Sequence, residues 1–259
     1  MKLTTVNSIE TSSICNNSCK YCPAKDQHKH RNVGFMDMQT FKAALEFVTY
    51  CVRKGTQREL NLFGVGEPTL NPQIVEMVEL ARNALPLKLP VHLNTNGNTM
   101  TETLARRLKR AGLTHCDITS HGDHEVTARC VNILNIVGIG GKISIDPVLN
   151  PNSWAGQVQE WLDAIGLKVA RYHKKPGNNC PWLGLGQVFI MSDGNISTCC
   201  IDAFANGIVG NVFESKPEEI KLKEFSLCAK CHHVTPSDTD SRSIIVDTHG
   251  KQMQSAVAI

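Results

Sequence analysis

Apolar residues recur along the first two thirds of this chain with two alternating periods. Thr5 to Glu10 alternates as a strand does, and Met38 to Lys54 repeats its apolar positions at helical spacing, with Phe41, Leu45 and Val48 on one face. The next pair is Leu60 to Phe63 and then Pro72 to Leu85, where Ile74, Val75, Val78 and Ala81 recur every three or four residues. Val91 to Leu93 leads to a helix from Thr101 to Ala111, closed by Gly112 as its C′ residue. Cys116 to Thr119 precedes a helix beginning near Asp123, Lys142 to Val148 precedes one around Trp154 to Ile165, and a last strand lies near Lys168 to Tyr172. Six such strand-and-helix repeats predict a parallel sheet with right-handed crossovers.

The pattern changes near Pro176. Gln187 to Met191 reads as a strand, Ser192-Asp193-Gly194-Asn195 as a turn and Ile196 to Cys199 as the return strand of a hairpin. The chain therefore divides into an α/β domain over residues 1–175, a small cysteine-bearing module over 176–235 and a loosely held tail over 236–259, placed over the module.

Composition narrows the class. A chain of 259 residues can bury a real core, and a formal charge of +3 indicates neither disorder nor a strongly basic nucleic-acid surface. No apolar run reaches the length of a membrane span, and the first residues lack a signal-peptide core, so a cytoplasmic protein is expected, in a host cytoplasm if the source is viral. Eleven cysteines in such a chain point to reduced thiols and metal ligation. Cys51, Cys116 and Cys130 fall inside predicted helices or strands and read as core residues.

Cys15, Cys19 and Cys22, spaced three and then two residues apart, can hold three corners of one iron–sulfur cubane and leave the fourth iron open for chemistry. Zinc also takes thiolates at such spacing, with His28 or His30 as a fourth ligand. The C-x3-C-x2-C string with Tyr21 before its last cysteine resembles the signature of the radical S-adenosylmethionine (radical SAM) enzymes. Gly64-Val65-Gly66-Glu67-Pro68 looks like the Gly-Glu-Pro element of that family, and Asn94-Thr95-Asn96-Gly97 like its third-strand element. The resemblance implies a partial (β/α)6 barrel open on one side, with a [4Fe–4S] cluster on the three cysteines. It implies SAM held by Tyr21, Gly66, Glu67, Pro68, Asn94, Thr95 and Asn96, the groups around Glu67 receiving its ammonium. Each motif follows a predicted strand, where the ligands of such barrels collect.

The second module resembles twitch, the shorter relative of the SPASM auxiliary-cluster module. It has Cys180 before the hairpin, Asp193-Gly194-Asn195 at its tip, Cys199 five residues after that glycine, Val209-Gly210-Asn211-Val212 beyond, and Cys228 and Cys231 as a final C-x2-C. The resemblance implies a second [4Fe–4S] cluster on Cys180, Cys199, Cys228 and Cys231, with Cys200 left over; a zinc ribbon is the other reading of the same spacing.

In length and module order the chain is similar to compact dehydrogenases of the family. The implied reaction is reductive cleavage of SAM to a 5′-deoxyadenosyl radical, removal of a substrate hydrogen atom and oxidation of a small polar or amino-bearing substrate, the second cluster accepting the electron. Isomerisation of an amino-acid-bearing thymidine in bacteriophage DNA, with DNA as partner, is an alternative to which the basic string Arg106-Arg107-Leu108-Lys109-Arg110 points; peptide modification is another, and a zinc- or cluster-stapled binding or electron-carrying protein is the non-enzymatic one. An external one-electron reductant such as flavodoxin or ferredoxin is the implied protein partner. Candidate acid–base groups at strand ends are His121, Asp146 and Arg171, the last more suited to clamping an anion than to taking a proton. Ile136 to Gly141 only partly matches the glycine-rich strand that contacts adenine in the family.

Overall fold

The computed structural model describes residues 1–145, 164, 180–231, 245–247 and 252–253. The expected strand Lys168 to Tyr172 lies outside these residues, as does, apart from Ala164, the helix around Trp154 to Ile165; Asp146 and Arg171 lie outside them too. Within them the alternation holds: β1 (Thr5–Ile9), α1 (Met38–Arg53), β2 (Leu60–Asn61), α2 (Ile74–Ala84), β3 (Val91–Thr95), α3 (Glu102–Ala111), β4 (His115–Ser120), α4 (His124–Val137) and β5 (Lys142–Ile145). The helices start where short acceptor side chains take up their first amides. Asp37 accepts from Thr40 N at 2.7 Å, Thr101 from Leu104 N at 3.1 Å and Asp123 from Val126 N at 3.0 Å, each worth about 1 kcal/mol. Gly112 ends α3 at φ 101°, and a Cβ there would lie 2.4 Å from Arg82 Cγ.

Strands β2 to β5 pair in parallel and in order. Their outer face packs on the helices through Leu93, Cys116 and Ile118 against Met77, Val78, Ala105 and Leu108, all at most 1 % exposed, and Cys51 and Cys130 are equally enclosed in the same core. Strand β1 touches β2 without a backbone ladder between them. Two buried amides take the ladder's place: Gln57 Oε1 accepts from Val6 N (3.0 Å) while its Nε2 donates to Val6 O (2.8 Å), and Asn61 Nδ2 donates to Asn7 O (2.8 Å).

The free edge of β1 is taken by the second module. β6 (Gln187–Ile190) pairs with β1 in parallel, and β7 (Asn195–Ser197) and β8 (Ile208–Asn211) follow antiparallel, so hairpin and first barrel strand form one four-stranded sheet. The tail departs from expectation. Ile245–Asp247 (β9) pairs antiparallel with β5, and Gln252–Met253 (β10) with β9, which makes the main sheet mixed. Its signal is the short apolar run Ile244-Ile245-Val246, too brief to separate from a loop by periodicity.

One ion pair ties these parts together. Arg31 donates two hydrogen bonds to Glu10, to Oε2 at 2.6 Å and Oε1 at 2.8 Å, with side chains only 2 % and 0 % exposed. Glu10 also accepts from Val65 N (3.1 Å) and Ser192 N (3.2 Å), and Arg31 Nε donates to Ala203 O (3.0 Å) and its terminal nitrogen to Gln27 Oε1. By contrast, the basic string on α3 is met by surface partners: Arg106 by Glu102 (2.6 Å), Arg107 by Glu76 (3.4 Å) and Lys109 by Gly138 O (2.6 Å). Removing one member of a buried pair strands the other charge, so Arg31→Ala should cost about 3–5 kcal/mol, seen as a lower urea midpoint at unchanged slope. Arg106→Ala should shift it by no more than about 0.5 kcal/mol.

Candidate active site

The segment from Glu10 to Met36 leaves the C-terminal end of β1, and its neck is closed by the chain itself. Met36 N donates to Thr11 O (3.0 Å), and the buried Asn71 donates through Nδ2 to both Thr11 O (2.7 Å) and Met36 O (2.9 Å). Beyond the neck, Cys15, Cys19 and Cys22 line a cavity of about 220 Å³ with Tyr21, Phe63, the Gly64–Glu67 turn, Asn94, Thr95, Asn96, Thr119 and His121. Three sequence motifs and the end of β4 thus meet in one place.

The Gly-Glu-Pro turn is built against the cysteine loop. A Cβ on Gly66 would lie 2.3 Å from Ser12 O and 2.7 Å from Ile14 O, and Glu67 N donates to Ile14 O at 2.8 Å. The close approach that glycine permits here is to the protein's own backbone. Glu67 is 2 % exposed, and its carboxylate takes Thr69 N (3.1 Å), Thr69 Oγ1, Thr95 Oγ1 (2.7 Å) and Asn96 N (2.7 Å). Burial pushes its carboxyl above the usual carboxylate range, against the pull of these donors. In this arrangement Glu67 fastens the third-strand element to the second, while the buried Pro68 starts the short turn Pro68–Leu70.

The third-strand element in turn holds the cysteine loop. Asn96 Nδ2 donates to Asn16 Oδ1 (2.9 Å) and lies 3.7 Å from Cys15 Sγ, and Asn98 Nδ2 donates to Asn17 Oδ1 (2.6 Å). Asn94 differs: it faces the cavity and accepts from Thr119 Oγ1 at 3.0 Å. All three polar residues of this element line the cavity; Thr95 and Asn96 bond to Glu67 and to the cysteine loop, whereas Asn94 bonds only across to Thr119 on the neighbouring strand among the hydrogen bonds described.

His121 comes from the end of β4 to the same loop. Its Nδ1 is 2.5 Å from Tyr21 OH and 3.6 Å from Cys19 Sγ, and the two rings stack with centroids 6.1 Å apart. Burial holds its pKa below the ordinary histidine value. His28 and His30 lie exposed in or just after the 3₁₀ run Pro23–Lys29, with His30 against Phe204, so the imidazole brought to the thiols is that of His121.

The donor set fits an iron–sulfur cluster. Desolvation pushes the Cys15 thiol up and that of Cys22 to about 12, a cost that iron offsets by deprotonating its ligands outright. Asn17 N (3.4 Å) and Asn96 Nδ2 point N–H groups at Cys15 Sγ, the kind of bond that tunes such clusters.

In the second module Cys180 precedes the turn Pro181–Gly184, and Cys228 and Cys231 bracket the end of the short helix Ser226–Lys230. Cys199 and Cys200 follow β7, and each is close enough to Cys231 for their charges to interact, Cys200 also to Cys180. Burial raises both thiols, Cys200 to about 11. Asp202, 1 % exposed, shapes the loop beyond them, accepting from Ser197 Oγ (2.8 Å), Asn206 N (2.9 Å) and Gly207 N (2.7 Å).

Below the cavity the inner face of the sheet is polar. His92, Asn94, Asp117 and Thr119 alternate with the buried Val91, Leu93, Cys116 and Ile118. His92 Nδ1 is 2.9 Å from Asn61 Oδ1, and its Nε2 stands 3.1 Å from Asp117 Oδ2 without a well-directed hydrogen bond. None of Asn61, Asn71, Glu10, Arg31 or Asp117 belongs to a spaced motif, so the sequence alone carries no functional signal for them.

A mostly parallel sheet with three thiols, a glycine-bearing turn and a polar strand end around one cavity defines a cluster-binding radical enzyme fold, as known proteins also indicate. The Radical SAM superfamily profile matches residues 9–150, and the chain belongs to that superfamily; the SPASM profile, an iron–sulfur cluster-binding domain, matches residues 180–233. A curated relative, the S-adenosyl-L-methionine-dependent 2-deoxy-scyllo-inosamine dehydrogenase of Niallia circulans, is 28 % identical over 120 residues. That alignment covers 46 % of each protein, so it spans about half the length of the relative. The crystal structure of BtrN in complex with AdoMet and 2-DOIA shares the fold at a TM-score of 0.64 and 19 % identity, over 82 % of this chain and 80 % of that one. A selenomethionine BtrN structure in an open conformation matches at 0.54 and 17 %, over 82 % and 77 %.

Gly66→Ala must displace Ser12–Ile14 and with them the cysteine loop. After anaerobic reconstitution it should bind fewer irons per chain than the parent chain, as should Cys19→Ala, measured by iron and sulfide analysis.

Proposed function

We propose that this chain is a radical SAM dehydrogenase that removes a hydrogen atom from carbon in a small, polar, hydroxyl- or amino-bearing substrate and oxidises it by two electrons. The observation that carries this reading is the convergence of Cys15, Cys19 and Cys22 with Asn94, Thr119 and His121 on one cavity above a polar inner sheet face. When bound, SAM and the N-terminal cluster supply the 5′-deoxyadenosyl radical, and a cluster on Cys180, Cys199, Cys228 and Cys231 supplies a sink for the second electron.

The chain's own residues bind, orient and handle protons. Tyr21 and His121 wall the cavity beside the cysteines, each fixing the other's position through the 2.5 Å contact. Asn94 and Thr119 present an amide and a hydroxyl toward a ligand. A hydroxyl that becomes a carbonyl must lose its proton, and the His121 imidazole at the cavity wall is placed to accept it. Filled barrels pack this inner face with branched apolar side chains; here His92, Asn94, Asp117 and Thr119 stand there instead, which favours a substrate rich in hydrogen-bonding groups over an apolar one.

Anaerobic assays of the reconstituted chain with dithionite should release 5′-deoxyadenosine, and Cys19→Ala should release none. Cys228→Ala should still cleave SAM while substrate turnover stops. Mass spectrometry of extracts made with the active and the Cys19→Ala chains should reveal a product lighter than its precursor by two hydrogens. A product of unchanged mass and altered retention, on a nucleoside, a peptide or any other substrate, would replace dehydrogenation with rearrangement.

A further inference from the structure

On the inner face of the sheet the cavity wall continues into a paired acid and imidazole. Strands β3 and β4 run in parallel register with His92 opposite His115 and Asn94 opposite Asp117. Side chains on this face reach the neighbouring strand diagonally, Asn94 to Thr119 at 3.0 Å and, one step lower, His92 to Asp117 at 3.1 Å. The two rungs stand about 7 Å apart along the strands. The upper rung lines the cavity, and the side chains of Asp117 and His92 in the lower one are 25 and 18 % exposed.

His92 is held from two sides. Asn61 commits its amide nitrogen to Asn7 O (2.8 Å) and Glu59 Oε1 (3.1 Å), both acceptors, so its oxygen faces His92 Nδ1 at 2.9 Å and the ring donates there. Phe63, itself a cavity residue, meets the ring edge-on with centroids 5.8 Å apart. Nε2 is thereby turned to Asp117 Oδ2, although no well-directed hydrogen bond joins them.

The carboxylate is held as well, since Lys142 N donates to Asp117 Oδ1 at 2.6 Å. Burial works against its charge, but His92 and Lys142 beside it keep the carboxyl below the usual carboxylate range. An ionised carboxylate only accepts hydrogen bonds, and with the Lys142 amide on Oδ1 its other oxygen has room for a further donor. The pair is not needed to join the strands, whose parallel register is continuous from His92 to Thr95. Because Lys142 and His92 already answer this charge, the donor that suits it is a neutral one.

We propose that Asp117 is a specificity residue that accepts, through Oδ2, a hydrogen bond from a substrate hydroxyl remote from the carbon that loses its hydrogen, and that His92 is the residue that positions it. Contacts at the lower rung and at Asn94 and Thr119 then hold a small hydroxylated substrate at two heights, which decides the C–H bond that is turned toward the thiol end of the cavity. The assignment rests on the dehydrogenase reading above.

The test follows product formation by the reconstituted chain in serial dilutions of a protein-free cell extract, which serves as the probe. Asp117→Asn, nearly unchanged in shape, should need about tenfold more extract to reach half its maximal rate, with a smaller change in that maximum, while its iron content matches the parent. His92→Ala should move the same way by less, and His92→Gln, whose amide can reach the place of Nε2, should recover part of the loss. Unchanged half-saturation in Asp117→Asn, or a loss confined to the maximal rate, would overturn the assignment. A loss of about a hundredfold or more that high salt abolishes would overturn the hydroxyl in favour of an ammonium group. A parent chain that converts nothing in the extract would instead overturn the dehydrogenase reading, and the assignment with it.

Discussion

The buried pair of Glu10 and Arg31 is the constraint on which the remaining architecture depends. Two opposite charges at 2.6 Å in a dry interior are tolerated only when their remaining lone pairs and hydrogens are also met. Meeting them draws in every part that matters: Val65 from the Gly-Glu-Pro turn, Gln27 from the cysteine loop, and Ser192 and Ala203 from the second module. The pair is thus a joint whose satisfaction requires the barrel end, the cluster loop and the hairpin to be in place together. A hydrophobic replacement of similar volume could fill the space, but it would not dictate which backbone amides come to the junction.

Around that joint, the residues most suggestive of ligand binding are largely devoted to each other. Glu67 grips Thr95 and Asn96, and Asn96 and Asn98 grip Asn16 and Asn17 between the cysteines. Each motif positions the next, and the cavity is what remains between them. This explains how a short loop of small polar residues can present thiols in a fixed geometry: its stiffness comes from hydrogen bonds made by two other loops.

Much of this was legible in the sequence because it is periodic or spaced. The helices α1 and α2 follow from their apolar repeats, and α3 and α4 from their place in the alternation, with Gly112 and Asp123 marking ends that the structure caps as expected. The motif residues also came together on one cavity, since strand ends of a parallel sheet share one rim. What escaped was polar, single and distant. Glu10 and Arg31 are 21 residues apart, Gln57 reaches Val6 across 51, and Asn71 reaches Thr11 across 60; no repeat length announces such pairs. The seam between β1 and β2 escaped for the same reason, because side-chain amides and not an alternating ladder close it. The edge pairing of β1 with β6 leaves no local trace either, as either strand alone reads as half of a different sheet.

That edge pairing has a consequence for biogenesis. Glu10 finds its partner Ser192 across 182 residues, and at ribosomal speeds that interval is roughly 10–40 s. Throughout it the first strand has an open edge, and the acid–guanidinium junction stands half enclosed beside thiols already synthesised. Chains that acquired metal early would do so on an unfinished scaffold. The amino-terminal end of the sheet is therefore complete only once the late hairpin has been made, because that hairpin supplies both the missing neighbour of β1 and the last donor to Glu10 and acceptor of Arg31.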